Sequence, residues 1–255
     1  MTSNRLPKAS AFFVVVVGLF GTFAQVGFEG TTVAAATTWT QRSPGASDGS
    51  IAAKINLSLS DLPNAGTWRS SSASSGSNDS AKLALACVRE VGGLYAEASP
   101  AVEGLSGGAV TANLSSRVFS LEGSSLETAI ETQVEFVSSV RQAAIDASID
   151  DTRREASCGQ QLLAGLLNIN TGAKAHITNH IGVLQEVAPG IRGLDDEVSI
   201  HFGVGNPVTY IDVFQYFDGR AEVEVTFFSA PRQTPTSWRN AVTNRIVDRM
   251  EANLR

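Results

Sequence analysis

Lysine, and charged residues in general, are scarce in this sequence of 255 residues. Lysine occurs only at positions 8, 54, 82 and 174, so arginine supplies most of the positive charge, a skew that is typical of a GC-rich genome. Charged residues make up 17% of the chain, and the formal net charge is -6. This balance argues against nonspecific binding to nucleic acid or to an anionic membrane surface, because both need a basic face.

A secretory signal is predicted at the start of the chain. Arg5 and Lys8 precede an uncharged run over 11–28 with the apolar centre AFFVVVVGLF, and a stretch of small residues ends at Ala36. A basic end, an apolar centre and an Ala-x-Ala site are the layout of a signal peptide. We therefore expect cleavage near residue 36 and export of the remainder. The alternative is an uncleaved membrane anchor over 11–28, since this run reaches the lower limit for a spanning helix.

Only two cysteines are present, Cys87 and Cys158. Neither cysteine lies directly after the apolar run, where a bacterial lipoprotein carries its lipid-attachment cysteine. Their spacing is also unlike the Cys-x-x-Cys of a redox pair. In an exported chain we expect one structural disulfide between them, worth roughly 4 kcal/mol in the chain-entropy estimate. In a cytosolic chain the same residues would be interpreted as buried thiols.

Three segments follow from these patterns. We predict a signal peptide or anchor over 1–36, a flexible leader over 37–50 and one exported domain over 51–255. The leader is small, polar and without a period. The domain is long enough to bury a substantial core.

The C-terminal third has the periodicity of antiparallel strands followed by a helix. Alternation over 198–204 predicts one strand, and 176–187 adds another. A strand over 208–217, a two-residue turn at Asp218-Gly219 and a return strand over 220–228 predict a hairpin. The last helix follows Pro235, with an apolar stripe at steps of four formed by Trp238, Val242, Ile246, Met250 and Leu254.

The earlier part of the domain predicts a mixture of helices and strands. Residues 55–59 alternate as in a short strand, and 110–121 as one strand or a bent pair. The clearest helix is predicted over 126–147, from the stripe Leu126, Ile130, Val134, Val137, Val140, Ala144 and Ala147, with Glu127, Glu131 and Glu135 on its exposed side. Hairpin connections need no crossover helix, so we predict an α+β fold with a mainly antiparallel sheet and helices on one face, a two-layer sandwich.

Two patterns suggest catalysis or metal binding. Gly104-Leu105-Ser106-Gly107-Gly108 matches the G-x-S-x-G of a serine hydrolase, but a proline-containing segment precedes it where the elbow needs a strand, and a strand pattern follows it where the elbow needs a helix. His176, His180 and His201 could bind zinc, although no H-E-x-x-H occurs and His201 is expected to face solvent. Asp195-Asp196-Glu197 lacks the alternating ligands of a calcium loop and is interpreted as a solvated turn that enters a strand. No metal and no cofactor are predicted.

Asp212 is the strongest candidate for a ligand-binding residue. The predicted hairpin places Tyr210, Asp212, Phe214 and Tyr216 on one face, opposite Phe227, Val225, Val223 and Ala221 respectively. A carboxylate on an apolar face costs free energy unless it is paired or reaches water. Two interpretations follow: an ion pair or hydrogen bond, with an arginine of the final helix as a partner, or the floor of a ligand pocket lined by Tyr210, Phe214 and Tyr216.

From residue 56 onward the chain resembles the exported sensor-like domains of actinobacteria, found in the extracellular part of PknH-type kinases and in stand-alone secreted proteins. The resemblance is carried by Asp61-Leu62-Pro63, Cys87, the segment SLETAIETQVEFVSSVRQA, Cys158, Ala188-Pro189, Leu194 to Glu197, Tyr210-Ile211-Asp212 and Gly219-Arg220. The chain departs from the kinase version in having no kinase domain and fewer cysteines. The resemblance implies binding of an extracellular ligand and supplies no catalytic residues.

These observations favour a non-enzymatic, extracytoplasmic binding domain. Its expected partner is a small molecule, a lipid or a component of the cell envelope, and contact with a membrane is expected only through an uncleaved N-terminal segment. A secreted serine hydrolase that uses Ser106 is the alternative from another class.

Overall fold

The computed structural model describes residues 46–64, 67–71, 110–121, 126–141, 143, 144, 147, 176–201 and 208–254. Within these ranges a 3-10 helix spans Leu59–Asp61, and no described helix is both long and apolar enough to cross a membrane. The longer elements are α1 (Ala46–Ile55), β1 (Arg69–Ser71), β2 (Val110–Ser115), β3 (Val118–Leu121), β4 (Glu127–Val137), β5 (His176–Ile181), β6 (Gln185–Ala188), β7 (Ile191–His201), β8 (Thr209–Asp218), β9 (Ala221–Ala230) and α2 (Thr236–Leu254).

The nine described strands form one sheet in which every pairing is antiparallel. The strand order is β1-β3-β4-β9-β8-β7-β5, with β2 also paired to β4 and β6 also paired to β7. This confirms the α+β class, the mainly antiparallel sheet and the bent pair predicted over 110–121. The segment over 176–187 contributes the two strands β5 and β6 in place of one.

Helices α1 and α2 pack on the same face of the sheet, which we call the helix face. Ile55 of α1 and Ile246 of α2 share one hydrophobic core with Val134, Val223 and Phe227 of β4 and β9. The stripe predicted for the last helix is confirmed, since Val242, Ile246 and Met250 are fully buried there. A two-layer sandwich for the whole domain stays a prediction.

The turn between β8 and β9 consists of Gly219 and Arg220, so the predicted turn at Asp218-Gly219 is wrong. Gly219 has a φ of 60°, a left-handed conformation that glycine adopts without strain at the first turn position. Each cross-strand pair is therefore displaced by two residues, and because the displacement is even, the side chains predicted to share a face still do. The observed pairs are Tyr210–Ser229, Asp212–Phe227, Phe214–Val225 and Tyr216–Val223.

The helix predicted over 126–147 is wrong for its first half, which forms strand β4. Residues 126, 130 and 134 lie four apart, and this spacing fits one face of a strand as well as one face of a helix. The segment is rich in β-branched side chains and pairs with β9 along nearly its whole length. Helical conformation begins at Val140, and the described residues from there to Ala147 are helical.

The strand predicted over 55–59 is also wrong. Ile55 ends α1, whose first five residues fall within the predicted flexible leader. Ala52 and Ile55 enter the core one helical turn apart, whereas Leu59 is exposed, so the apparent alternation does not mark a sheet face. Three alternating residues are too short a pattern to distinguish the two structures.

An ion pair fastens α1 to the hairpin turn. Asp48 is buried, and its two carboxylate oxygens accept hydrogen bonds from Arg220 at 3.0 and 3.1 Å and from the Thr111 hydroxyl at 2.7 Å. Arg220 also donates to the carbonyl oxygen of Val137 at 3.0 Å and lies over the Phe136 ring. Burial opposes ionisation of Asp48, but the hydrogen bonds and charge of Arg220 outweigh it and lower the pKa of this carboxyl.

Replacing Arg220 with methionine should destabilise the domain by about 2 kcal/mol at pH 7, because Asp48 would remain buried without its cation. Urea unfolding measures the loss, and Arg245→Met, an exposed arginine of α2, is the matched control. A lowered pKa contributes stability above the ordinary carboxyl pKa and loses it as pH falls, so the difference should shrink below about pH 4. An equal loss at pH 7 and pH 3 would contradict the assigned ion pair.

Candidate functional site

Tyr210, Asp212, Phe214 and Tyr216 lie on the helix face of β8, as the sequence predicted, but they occupy two different environments. Phe214 packs against Phe227 with its ring centroid 5.7 Å away in an edge-on arrangement. Tyr216 is buried in the core, where it forms a side-chain hydrogen bond with Thr243 of α2, and burial raises its pKa to about 12. Tyr216 is therefore a packing residue beneath α2, whereas Phe214 is half-buried at the margin of the core.

Asp212 lies nearer the start of β8 than these two residues and beside the first turn of α2, where it is part of a hydrogen-bonded polar cluster. Its Oδ1 atom accepts a hydrogen bond from Gln233 Nε2 at 2.6 Å and lies 3.1 Å from Arg239 Nη1. The same two donors reach Glu197 Oε1, at 2.8 and 3.0 Å. We call Glu197, Asp212, Gln233 and Arg239 the polar cluster.

Three parts of the fold bring the polar cluster together. Glu197 on β7 is the direct cross-strand partner of Asp212, so both carboxylates point to the helix face. Gln233 comes from the segment that joins β9 to α2, and Arg239 from the first turn of α2. The predicted interpretation of Asp212 as the ion-pair partner of an arginine in the final helix is confirmed.

The two carboxylates of the cluster have different electrostatics. Burial raises the pKa of Asp212 to about 6, although hydrogen bonding from Gln233 and the charge of Arg239 oppose the rise. Burial acts in the same direction on Glu197 but is weaker, so the hydrogen bonds from Arg239 and Gln233 lower the pKa of that carboxyl. With both acids ionised, the cluster carries a formal charge of -1.

Three buried polar atoms in and beside the cluster have no hydrogen-bond partner among the residues that the structure describes. They are Asp212 Oδ2, Arg239 Nε and the Ser229 hydroxyl. Asp212 is 1% exposed and Ser229 is fully buried. Ser229 pairs with Tyr210 and therefore lies diagonally beside Asp212 on the same face. Buried polar groups in folded proteins are almost always hydrogen-bonded, so three unpartnered polar atoms at neighbouring positions are unusual for a protein interior.

The three histidines are exposed on the same face, beyond the cluster. His176 and His180 share a face as predicted, and the His176 ring lies 6.3 Å from the ring of His201. In the described ranges, no group of three His, Cys, Asp or Glu side chains is placed to hold a metal ion. Ser199 Oγ lies 3.5 Å from His201 Nε2, at the limit of a hydrogen bond, and no described carboxylate orients that ring.

Sequence reasoning missed Glu197, Gln233 and Ser229. The interpretation of Asp195-Asp196-Glu197 as a solvated turn is wrong, because all three lie inside β7. The alternation over 198–204, extended backward, would have placed Glu197 on a strand, but Gln233 offered no signal, since it lies in an irregular segment. Ser106, Cys87, Cys158 and the apolar run over 11–28 lie outside the described residues.

No protein-family model and no curated protein matches the chain. Among solved structures, the crystal structure of the extracellular domain of PknH from Mycobacterium tuberculosis is similar with a TM-score of 0.39 and 13% identity, over 81% of this chain and 96% of that one. The two folds are only loosely alike at this score, so membership of the sensor-like family stays a prediction.

Proposed function

We propose that this chain is a non-enzymatic extracytoplasmic binding domain of the sensor-like kind, with the polar cluster as its ligand site. Export is expected from the N-terminal signal, and the ligand is a small molecule or an exposed part of a cell-envelope component. Tyr210 and Asp212 are the predicted ligand residues that lie at this place, whereas Tyr216 supports it from the core and Phe214 from the margin of the core.

The proposal depends on the unpartnered polar atoms. Leaving a buried donor or acceptor without a partner costs about 1–3 kcal/mol, and more when the group is charged. Asp212 Oδ2 and Arg239 Nε belong to charged side chains, and Ser229 lies beside them. A fold can retain such a cost where a ligand supplies the missing hydrogen bonds, which is the usual reason for convergent polar groups in a site.

The hydrogen-bond pattern of the polar cluster favours binding over catalysis. Arg239 and Gln233 each contact both carboxylates, so the acids are held by fixed donors. Ser199 is half-buried and His201 is exposed, their side chains approach only to 3.5 Å, and no carboxylate among the described residues orients the ring as in a hydrolytic triad.

Native mass spectrometry of the protein secreted by the cells that naturally make it tests this function. We expect a bound mass on the wild-type protein that is lost or reduced by about tenfold in Asp212→Asn, because the amide cannot replace the ionised acceptor. Asp248→Asn removes the same charge from an exposed position on α2 and should retain the mass. Circular dichroism checks that both variants fold.

Two results would contradict the proposed function. One is a wild-type protein recovered without any bound mass under native conditions. The other is an equal bound mass on Asp212→Asn and Asp248→Asn.

A further inference from the structure

The register of the sheet aligns five hydroxyl side chains in one row across five neighbouring strands. Successive direct partners on β4, β9, β8, β7 and β5 all carry a hydroxyl group and share the helix face, and at the spacing of adjacent strands the row is roughly 19 Å long. We call it the hydroxyl row: Thr128, Ser229, Tyr210, Ser199 and Thr178.

The hydroxyl row passes from the core to the solvent. Thr128 is buried and satisfied, since its hydroxyl donates to the Phe228 carbonyl oxygen at 2.9 Å and lies 2.9 Å from the Thr234 hydroxyl. Ser229 is buried, and its hydroxyl has no partner in the described part of the chain. Tyr210 and Ser199 are half-buried and Thr178 is exposed, so the row runs from the exposed side of the sheet up to the fully buried Ser229.

The adjacent row of the same face is polar from β8 outward. Asp212, Glu197 and His180 are successive cross-strand partners and run parallel to Tyr210, Ser199 and Thr178. None of these six side chains is aliphatic. An acyl chain would therefore find the Tyr210 ring as the one large apolar surface among these six side chains, whereas hydroxyl groups would find donors and acceptors along both rows.

The unpartnered atoms also limit the charge of the ligand. Asp212 Oδ2 accepts a hydrogen bond, Arg239 Nε donates one, and Ser229 can do either. An anion could accept from Arg239 but would be repelled by the carboxylates of Asp212 and Glu197. A cation could pair with Asp212, but it would be repelled by Arg239 and could not accept the hydrogen bond that Arg239 Nε offers. A hydroxyl group donates and accepts at once, so it satisfies both sides without adding charge.

We infer that the ligand is a neutral, hydroxyl-bearing molecule of the saccharide or polyol class, which lies along the hydroxyl row and inserts one hydroxyl group between Asp212, Ser229 and Arg239. This inference rests on the proposed function and narrows its ligand from a small molecule or an exposed part of a cell-envelope component to a neutral, polar one. The half-buried ring of Tyr210 provides the flat apolar surface against which a sugar ring can pack.

Isothermal titration calorimetry of the full secreted chain tests the inference with glucose, mannose, galactose, xylose and sucrose as probes. We expect at least one of these sugars to bind. Its affinity should fall by about tenfold or more in Asp212→Asn and by about fivefold in Tyr210→Leu, and should not change in Asp248→Asn. Unfolding midpoints of the three variants confirm that a lost affinity is not a lost fold.

Inorganic phosphate and phosphatidylglycerol vesicles are the competing probes. If either binds and Asp212→Asn changes its affinity while Asp248→Asn does not, the neutral ligand class is wrong while the proposed function is retained. A non-saccharide mass on the secreted protein, in the absence of sugar binding, leads to the same conclusion. Sugar binding that is unaffected by both Asp212→Asn and Tyr210→Leu would overturn the assigned site.

Discussion

Replacing Glu131 with glutamine should stabilise the domain by about 3 kcal/mol at pH 8 and by almost nothing at pH 4. Glu131 lies in the middle of β4 on the face opposite the helices, 9% exposed, where burial and the nearby charge of Glu224 raise its pKa to about 8. The folded protein therefore holds a proton on this side chain that the unfolded chain releases above its ordinary pKa of 4.5. Glutamine keeps the shape of the protonated acid and never ionises.

The sign of the effect follows from proton uptake. Between about pH 4.5 and pH 8 the folded state binds more protons at Glu131 than the unfolded state, so stability falls as pH rises through this window. Glu224, whose pKa burial raises to about 7, and Asp212, raised to about 6, act in the same direction. The wild-type free energy of unfolding should decline toward alkaline pH, and Glu131→Gln should flatten that decline without removing it.

Urea unfolding at pH 4, 6 and 8 measures this difference. Glu127→Gln is the matched control, since it makes the same change in a partly buried residue at the start of the same strand. The control should change the free energy of unfolding by a small amount that is nearly the same at each pH. Parallel curves for the wild type and Glu131→Gln would show that Glu131 is ionised in the folded state, contrary to the raised pKa.

The mistaken helix over 126–147 also explains why sequence reasoning misplaces Glu131. On a helix, Glu127, Glu131 and Glu135 share the exposed side, four residues apart, and on a strand they share a face as well. Only tertiary pairing decides between the two, because β4 lies between β9 on one edge and β2 and β3 on the other. The sequence could not show that this face of β4 is buried at Glu131.

The C-terminal region was easier to predict because its signals are local. A glycine in a two-residue turn, alternating strands on both sides and a stripe at steps of four are each produced by neighbouring residues. The face shared by Tyr210 and Asp212 followed from alternation alone and survived the error in register. The rest of the cluster could not be predicted, since Gln233 and Arg239 meet Asp212 only after β9 and α2 have packed.

Replacing Arg239 with methionine should destabilise the domain by about 3 kcal/mol at pH 8, the second large effect that we expect. Arg239 is mostly buried and is the cation of the cluster, within 3.1 Å of Asp212 and 3.0 Å of Glu197. Without it, Asp212 would be an ionised carboxylate that is 1% exposed and has only Gln233 as a donor. Asp212 can escape this cost by taking up a proton, so the loss should fall to about 1 kcal/mol at pH 5.

A double-mutant cycle isolates the interaction between Arg239 and Asp212. In Asp212→Asn the arginine loses one of two acceptors and keeps Glu197, so that variant alone should cost less than Arg239→Met. In the double variant the buried charge is gone, and the additional loss caused by Arg239→Met should be small and independent of pH, which gives a coupling free energy of about 2 kcal/mol at pH 8. Arg245→Met on the same helix serves as the control. Additive losses, equal at pH 5 and pH 8, would mean that Arg239 contributes packing alone and that Asp212 does not need its charge.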